Sequence, residues 1–331
     1  MNRLVLRVLA VKAVAMIAVF AAPAYADGGL HRFVVFGDSL SDPGNYFIEY
    51  GQVSEPPYVP VPSAPYDIHG YHFSNGPTWI EQLTVELGSR DSGRPALARP
   101  GVYTNYAMGG ARARANAPVF PDFDLSTQVG LFLSDFGGQA PARATYVIWI
   151  GANDLDDALG ALQTDPSGAT SIGIIQTALG TIAANIQALW AAGARSFLIP
   201  NEPDLGLTPA VQLAGPAAVG AATQLSEAFD AGLAQVLGQL QVLPQIQFTT
   251  LDVFTLLHVV VSDPQAYRLT DAQDPCLTFF VLLDAICERP NRYLFWDGIH
   301  PTVAGHEILE DAAQQVVRAQ YRRSELTPST P

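Results

Sequence analysis

Four short polar clusters hold the residue types that nucleophilic catalysis needs: Gly37-Asp38-Ser39, Gly109-Gly110, Gly151-Ala152-Asn153-Asp154 and Asp297-Gly298-Ile299-His300. A serine hydroxyl is inert at neutral pH and needs a base within hydrogen-bond reach. His300 is the candidate base, because imidazole takes and returns a proton near neutral pH. Asp297, three residues earlier, can face it across a single turn and would fix its tautomer. His306 has no acid three residues before it, and His31, His69, His72 and His258 sit in no motif. A tetrahedral oxyanion also needs preorganised donors. The backbone N–H of Ser39, that of Gly109 or Gly110, and the side-chain amide of Asn153 form such a set, since glycine admits close backbone approach.

These clusters converge only if the fold brings them together. Phe33 to Phe36 is continuously apolar and reads as a strand buried on both faces, with Gly37 breaking it. Further strands are expected at 102–107, 145–150, 195–200 and 246–251. Helices are expected at 78–87, 172–192, 217–240 and 302–321. Alternation of this kind gives a parallel sheet with helices on both faces. The first three clusters each begin at the carboxyl end of an expected strand, the edge where open α/β sheets bind ligands. Asp38 and Asp42 read as turn and helix-start residues. Asp154, Asp156 and Asp157 read as a solvated helix start, since they lack the loop glycine and distal glutamate of an EF-hand. No metal site is expected.

The first 26 residues combine Arg3, Arg7 and Lys12 with an apolar run from Ala13 to Ala22 and the small-x-small site Ala24-Tyr25-Ala26. This pattern is that of a secretory signal peptide, and it is too short in apolar length for a membrane span. The leader holds three of the 17 basic residues and none of the 31 acidic ones, so the 305 residues after it are strongly acidic. Such a balance excludes nucleic acid as a partner and disfavours anionic membrane surfaces. The two cysteines, Cys276 and Cys287, read as a disulfide in an exported chain, worth roughly 3 kcal/mol for so short a loop. No linker divides residues 27–325, which read as one domain with a frayed tail at 326–331. No integral membrane segment is expected after the leader, and the chain is expected to be a monomer. Residues 51–77, rich in Pro and Tyr, form a long loop that suits either substrate binding or a surface excursion.

The clusters together resemble the GDSL, or SGNH, family of serine esterases and lipases. Four family blocks occur in order: Gly37-Asp-Ser-Leu-Ser-Asp42, Asn105-Tyr-Ala-Met-Gly-Gly110, Gly151-Ala-Asn-Asp154 and Asp297-Gly-Ile-His300. The resemblance implies a flavodoxin-like three-layer α/β/α sandwich, here with a mostly parallel five-stranded sheet. It implies Ser39 as nucleophile, Asp297 and His300 as the rest of a triad, and Gly110 rather than Gly109 beside Asn153 in the oxyanion hole. Phe73-Ser-Asn-Gly-Pro77, Pro203 to Pro209 and Phe295 to Pro301 are similar to the secreted bacterial phospholipase, lecithinase and haemolysin branch. Two features depart from that branch: His72 stands where arginine is expected, and no room remains for the C-terminal β-barrel of its outer-membrane members. The second departure argues for a soluble product.

The implied activity is hydrolysis of a small-molecule or lipid ester through an acyl-enzyme, with no cofactor. Two alternatives use the same fold: an acyltransferase working through the same acyl-enzyme, and an inactive surface-binding module. Ser41 where a second glycine would be needed excludes the G-x-S-x-G elbow of α/β-hydrolases. No GxGxxG, Walker A or HExxH pattern occurs.

Overall fold

A computed structural model describes residues 32–114 and 123–326. The expected signal peptide and residues 327–331 of the expected tail lie outside the described residues. In chain order the elements are β1 (Phe33–Gly37), α1 (Asn45–Tyr50), α2 (Trp79–Glu86), α3 (Leu125–Asp135), β2 (Thr145–Trp149), α4 (Ala152–Ala161), α5 (Ala169–Ala192) and β3 (Ser196–Pro200). They continue with α6 (Pro209–Leu213), α7 (Pro216–Leu240), β4 (Gln247–Leu251), α8 (Val253–Ser262), β5 (Asp271–Pro275), β6 (Tyr293–Phe295) and α9 (Val303–Leu326).

Strands β1 to β4 form one parallel sheet in the order β1-β2-β3-β4. Successive side chains of a strand point to opposite faces, and both faces are apolar here. Val34, Phe36, Tyr146, Ile148 and Phe197 face a layer containing Phe132, Ile182, Ile186 and Phe229 from α3, α5 and α7. Phe33, Val35, Val147, Trp149 and Leu198 face the opposite layer, with Trp79, Ile80 and Leu83 of α2 and Leu309, Ala313 and Val317 of α9. The three-layer sandwich follows from this alternation.

The sheet has four strands rather than the five expected. Segment 102–107 does lie along β1, with Val35 N–H donating to Thr104 O at 2.9 Å and Tyr106 N–H to Val35 O at 2.8 Å. It bridges β1 only at Asn105. Its other donors are engaged locally: the N–H groups of Val102 and Tyr103 both go to Arg99 O, and Ala107 N–H goes to the Asn105 side chain. Counted with this segment, the spatial order is the 2-1-3-4-5 of doubly wound folds. A separate parallel pair, β5 with β6, precedes Asp297.

Thr78 and Glu81 close a capping box on α2, with Thr78 N–H donating to Glu81 Oε2 at 2.9 Å. Helix α5 is the one described helix long and apolar enough to cross a membrane. One face of it, including Ile175, Ile182, Ile186 and Leu189, belongs to the core.

Candidate active site

Ser39 lies two residues past the carboxyl end of β1, where Gln128 brackets Gly37, the last residue of the strand. Its side chain accepts from Gly37 N–H at 2.9 Å and donates to Gly37 O at 2.8 Å. Beyond the serine, the buried Asp42 carboxylate accepts from the N–H groups of Gly44, Asn45 and Tyr46 at the start of α1. The same carboxylate accepts from Gly109 N–H at 2.8 Å, tying the second cluster to the first. Burial pushes its acid up to about 6, against four backbone donors that lower it.

The other half of the site comes from the turn between β6 and α9. Asp297 Oδ1 accepts from the N–H groups of Ile299 at 2.9 Å and His300 at 2.7 Å. Its Oδ2 lies 2.7 Å from His300 Nδ1 and accepts from the Tyr66 hydroxyl at 2.9 Å. His300 Nε2 lies 2.8 Å from Ser39 Oγ. Asp297 is fully buried, and Ser39 and His300 are nearly so. Phe73 packs tilted on the His300 ring, with centroids 5.3 Å apart.

Two glycines are required by what lies around them. A Cβ at Gly109 would fall 2.1 Å from the Phe73 ring, the same ring that backs His300. Gly110 has φ of +75°, a left-handed conformation that L side chains rarely adopt. Among the described residues, the backbone N–H groups of Ser39 and Gly110 donate to no protein acceptor. Asn153, at the start of α4, donates one amide hydrogen to Ala111 O at 3.0 Å, which leaves a second donor.

Ser39, Asn153 and His300 line a cavity of about 120 Å³ whose remaining wall is mostly apolar. That wall includes Val61, Leu205, Leu256, Val260, Phe295 and Leu309. Of the long 51–77 loop, Val61 is the residue that reaches it.

Asp154 does not occupy the solvated helix start expected of it. It is fully buried, accepts from Ala113 N–H at 2.7 Å and pairs with Arg114 at 2.9 Å. Burial raises its acid in spite of that arginine. Asp157 pairs with Arg112 at 2.7 Å and also with Arg114. The two arginines follow Gly110 closely in sequence, so these pairs fasten the second cluster to α4.

His72, standing where arginine was expected, pairs with Glu81 of the α2 capping box at 2.9 Å, away from the cavity wall. Burial lowers its proton affinity, but the Glu81 carboxylate outweighs this and the net shift is upward. His306 is buried and pushed down to about 3, chiefly by loss of solvent. His258 pairs with Asp204 at 3.0 Å. Cys276 and Cys287 form a disulfide.

Two features lie outside what the sequence motifs lead one to expect. Tyr66 reaches Asp297 from 231 residues away, out of the Pro- and Tyr-rich loop. The buried Asp38 and Glu202 and the half-buried Asp230 form a second group of acids, each with one oxygen lacking a hydrogen-bond partner among the described residues. Burial pushes Asp38 and Asp230 up to about 7, and Glu202 well above its ordinary value with help from both neighbours. Glu202 follows the carboxyl end of β3, so the strand-end rule that picked out Ser39 would have found it.

A three-layer α/β/α sandwich that sets a serine against a histidine at the carboxyl edge of its parallel sheet is the arrangement of the SGNH class of hydrolases. The chain belongs to the GDSL-like lipase/acylhydrolase family, whose model matches residues 33–313, and is a hydrolase of carboxylic ester bonds. It is 24% identical to a phosphatidylcholine-sterol acyltransferase of Aeromonas hydrophila, over 88% of this chain and 91% of that protein. It is likewise 24% identical to GDSL esterase/lipase 5 of Arabidopsis thaliana, over 83% and 80% respectively. Among solved structures, an acetylxylan esterase of Geobacillus stearothermophilus aligns over 88% of this chain and 95% of its own, with a TM-score of 0.43 and 12% identity.

Proposed function

We propose that the protein is an exported lipid-ester hydrolase in which Ser39 is the nucleophile of a Ser39-His300-Asp297 triad. The observation that carries this reading is the unbroken line from Asp297 Oδ2 to His300 Nδ1 at 2.7 Å and from His300 Nε2 to Ser39 Oγ at 2.8 Å. His300 takes the Ser39 proton as Oγ attacks the ester carbonyl. The oxyanion is received by the N–H groups of Ser39 and Gly110 and the spare amide hydrogen of Asn153. Collapse breaks the bond to the alcohol oxygen, which leaves with the proton from His300. Water then attacks the acyl-enzyme by the same route in reverse, and the carboxylic acid departs.

The apolar wall of the cavity favours a hydrocarbon acyl group. The disulfide and the signal-peptide pattern favour a compartment outside the reducing cytoplasm. Residues 27–325 would act as one domain and as a monomer. The test is labelling with a fluorophosphonate together with hydrolysis of p-nitrophenyl esters. Wild type should label at Ser39 and turn over, and Ser39→Ala should do neither. Unchanged turnover by Ser39→Ala would exclude the reading.

Acyl transfer is the second reading, favoured by the likeness to the Aeromonas hydrophila acyltransferase along nearly its whole length. An alcohol would then replace water at the deacylation step. Product analysis with a competing alcohol separates the two, because transfer persists in excess water only under this second reading.

A further inference from the structure

The segment between Cys276 and Cys287 is closed at its base and apolar at its tip. The base is held by Thr278 N–H donating to Ala285 O at 2.7 Å, Cys287 N–H to Cys276 O at 3.0 Å, and the disulfide. The tip reads Phe279-Phe280-Val281-Leu282-Leu283. Phe280 and Leu282 are each 70% exposed and Leu283 is 83% exposed. Phe280 is held at φ of +62°, a conformation that a bulky residue avoids unless its surroundings impose it. The chain therefore presents large apolar side chains to solvent on a constrained support, where a polar loop would cost nothing.

The position of this tip gives it meaning. Cys276 N–H and Leu277 N–H donate to Phe295 O and Trp296 O, the residues leading into Asp297. Phe280 N–H donates to Tyr58 O at 2.9 Å, and the same stretch carries Val59 and the cavity-lining Val61, both exposed beyond two-fifths. Pro60 O in turn accepts from Gly298 N–H, between Asp297 and His300. The apolar tip is thus continuous, through residues 58–61, with the wall of the cavity that contains Ser39.

We infer that Phe280, Leu282 and Leu283, with Val59 and Val61, seat the enzyme on a neutral or zwitterionic lipid surface, so that ester-bearing lipids reach the Ser39 cavity from that surface. The inference rests on the proposed ester hydrolysis and names where its substrate is met. A second copy of the chain is the weaker occupant. A stable protein interface buries at least roughly 1,000 Å², which a projecting tip of five side chains does not supply. An anionic bilayer is opposed by the net charge of −14. A bilayer interface, in contrast, accepts a few apolar side chains at shallow depth.

The experiment is flotation with phosphatidylcholine vesicles, comparing wild type with the double variant Leu282→Ser, Leu283→Ser. Wild type and Ser39→Ala should float equally, and the double variant should partition at least about tenfold less, as expected for loss of buried leucine contacts. Adding phosphatidylglycerol should weaken the binding of wild type. All forms except Ser39→Ala should hydrolyse soluble p-nitrophenyl acetate at the same rate, which shows that the variant is folded and its site intact. Equal flotation of the double variant, failure of wild type to float, or wild type that dimerises through the tip while the variant stays monomeric would each overturn the inference. Flotation without any ester hydrolysis would instead sink the proposed function and leave the docking surface standing.

Discussion

Asp297 and the trio Asp38, Glu202 and Asp230 are two sets of carboxylates built on opposite principles. Asp297 has no exposed surface, yet its two oxygens take four contacts: two backbone N–H groups, the Tyr66 hydroxyl and His300. Asp38, Glu202 and Asp230 each keep an oxygen with no partner among the described residues, and burial raises all three acids. An ionised carboxylate survives burial when donors replace water, and otherwise takes up a proton instead. Burial alone therefore says little about the role of an acid. The donor count separates a carboxylate equipped to face an imidazole, Asp297, from acids whose burial favours taking up a proton.

The largest effect expected from this contrast is at Asp297. Replacement by Asn should lower kcat by about 10⁴-fold, since the amide favours the wrong imidazole tautomer. Asp38→Asn should leave kcat within about tenfold, because a neutral amide imitates a protonated acid. Steady-state kinetics on a soluble ester checks both, and the reverse ranking would break the comparison.

Next in size is the dependence of stability on pH. The unfolded chain releases the Asp38 proton near its ordinary value of 3.8, whereas the folded protein holds it up to about 7. Between those limits the folded state binds more protons, so stability is full below about pH 4 and falls as pH rises toward 7. Asp230 works in the same direction. The contribution of Asp38 is up to about 4 kcal/mol across that window. Urea unfolding should show the Asp38→Asn variant losing less stability than wild type between pH 4 and 8. Parallel curves for the two proteins would show that Asp38 does not carry this proton.

The smallest effect sharpens the anionic side of the contrast. Tyr66→Phe removes one donor from Asp297 and keeps the ring, which packs edge-on against Trp296 with centroids 5.6 Å apart. A hydrogen bond to a charged group is worth about 1.5–3 kcal/mol, so kcat should fall between roughly tenfold and a hundredfold. KM should change little, since Tyr66 does not line the cavity. A rise in KM at constant kcat would assign Tyr66 to substrate binding instead.

The residue types that meet at the sheet edge were legible because a chemical requirement and a strand-end position coincide in each. Ser39, Asn153, Asp297 and His300 all stand where an apolar run or a short turn puts a polar group at an element boundary. Tyr66 was not legible, because a hydroxyl in a loop of prolines and tyrosines has no periodicity to mark it. Asp154 was misread because its sequence neighbours are acidic, while Arg114, which neutralises it, lies 40 residues away. Segment 102–107 has the composition of a strand and runs along β1, but its own side chains and turns consume the donors a ladder needs. Helix α8 is apolar around much of its length, so neither period shows in Val253–Ser262.

The Ser39–His300 contact joins residues 261 positions apart, and this separation sets an order of events. A polypeptide emerges from its amino end, so the serine exists long before the imidazole that would activate it. Every partial chain short of the β6–α9 turn carries Ser39 without His300. On the proposed mechanism, ester cleavage therefore waits for the end of synthesis and folding.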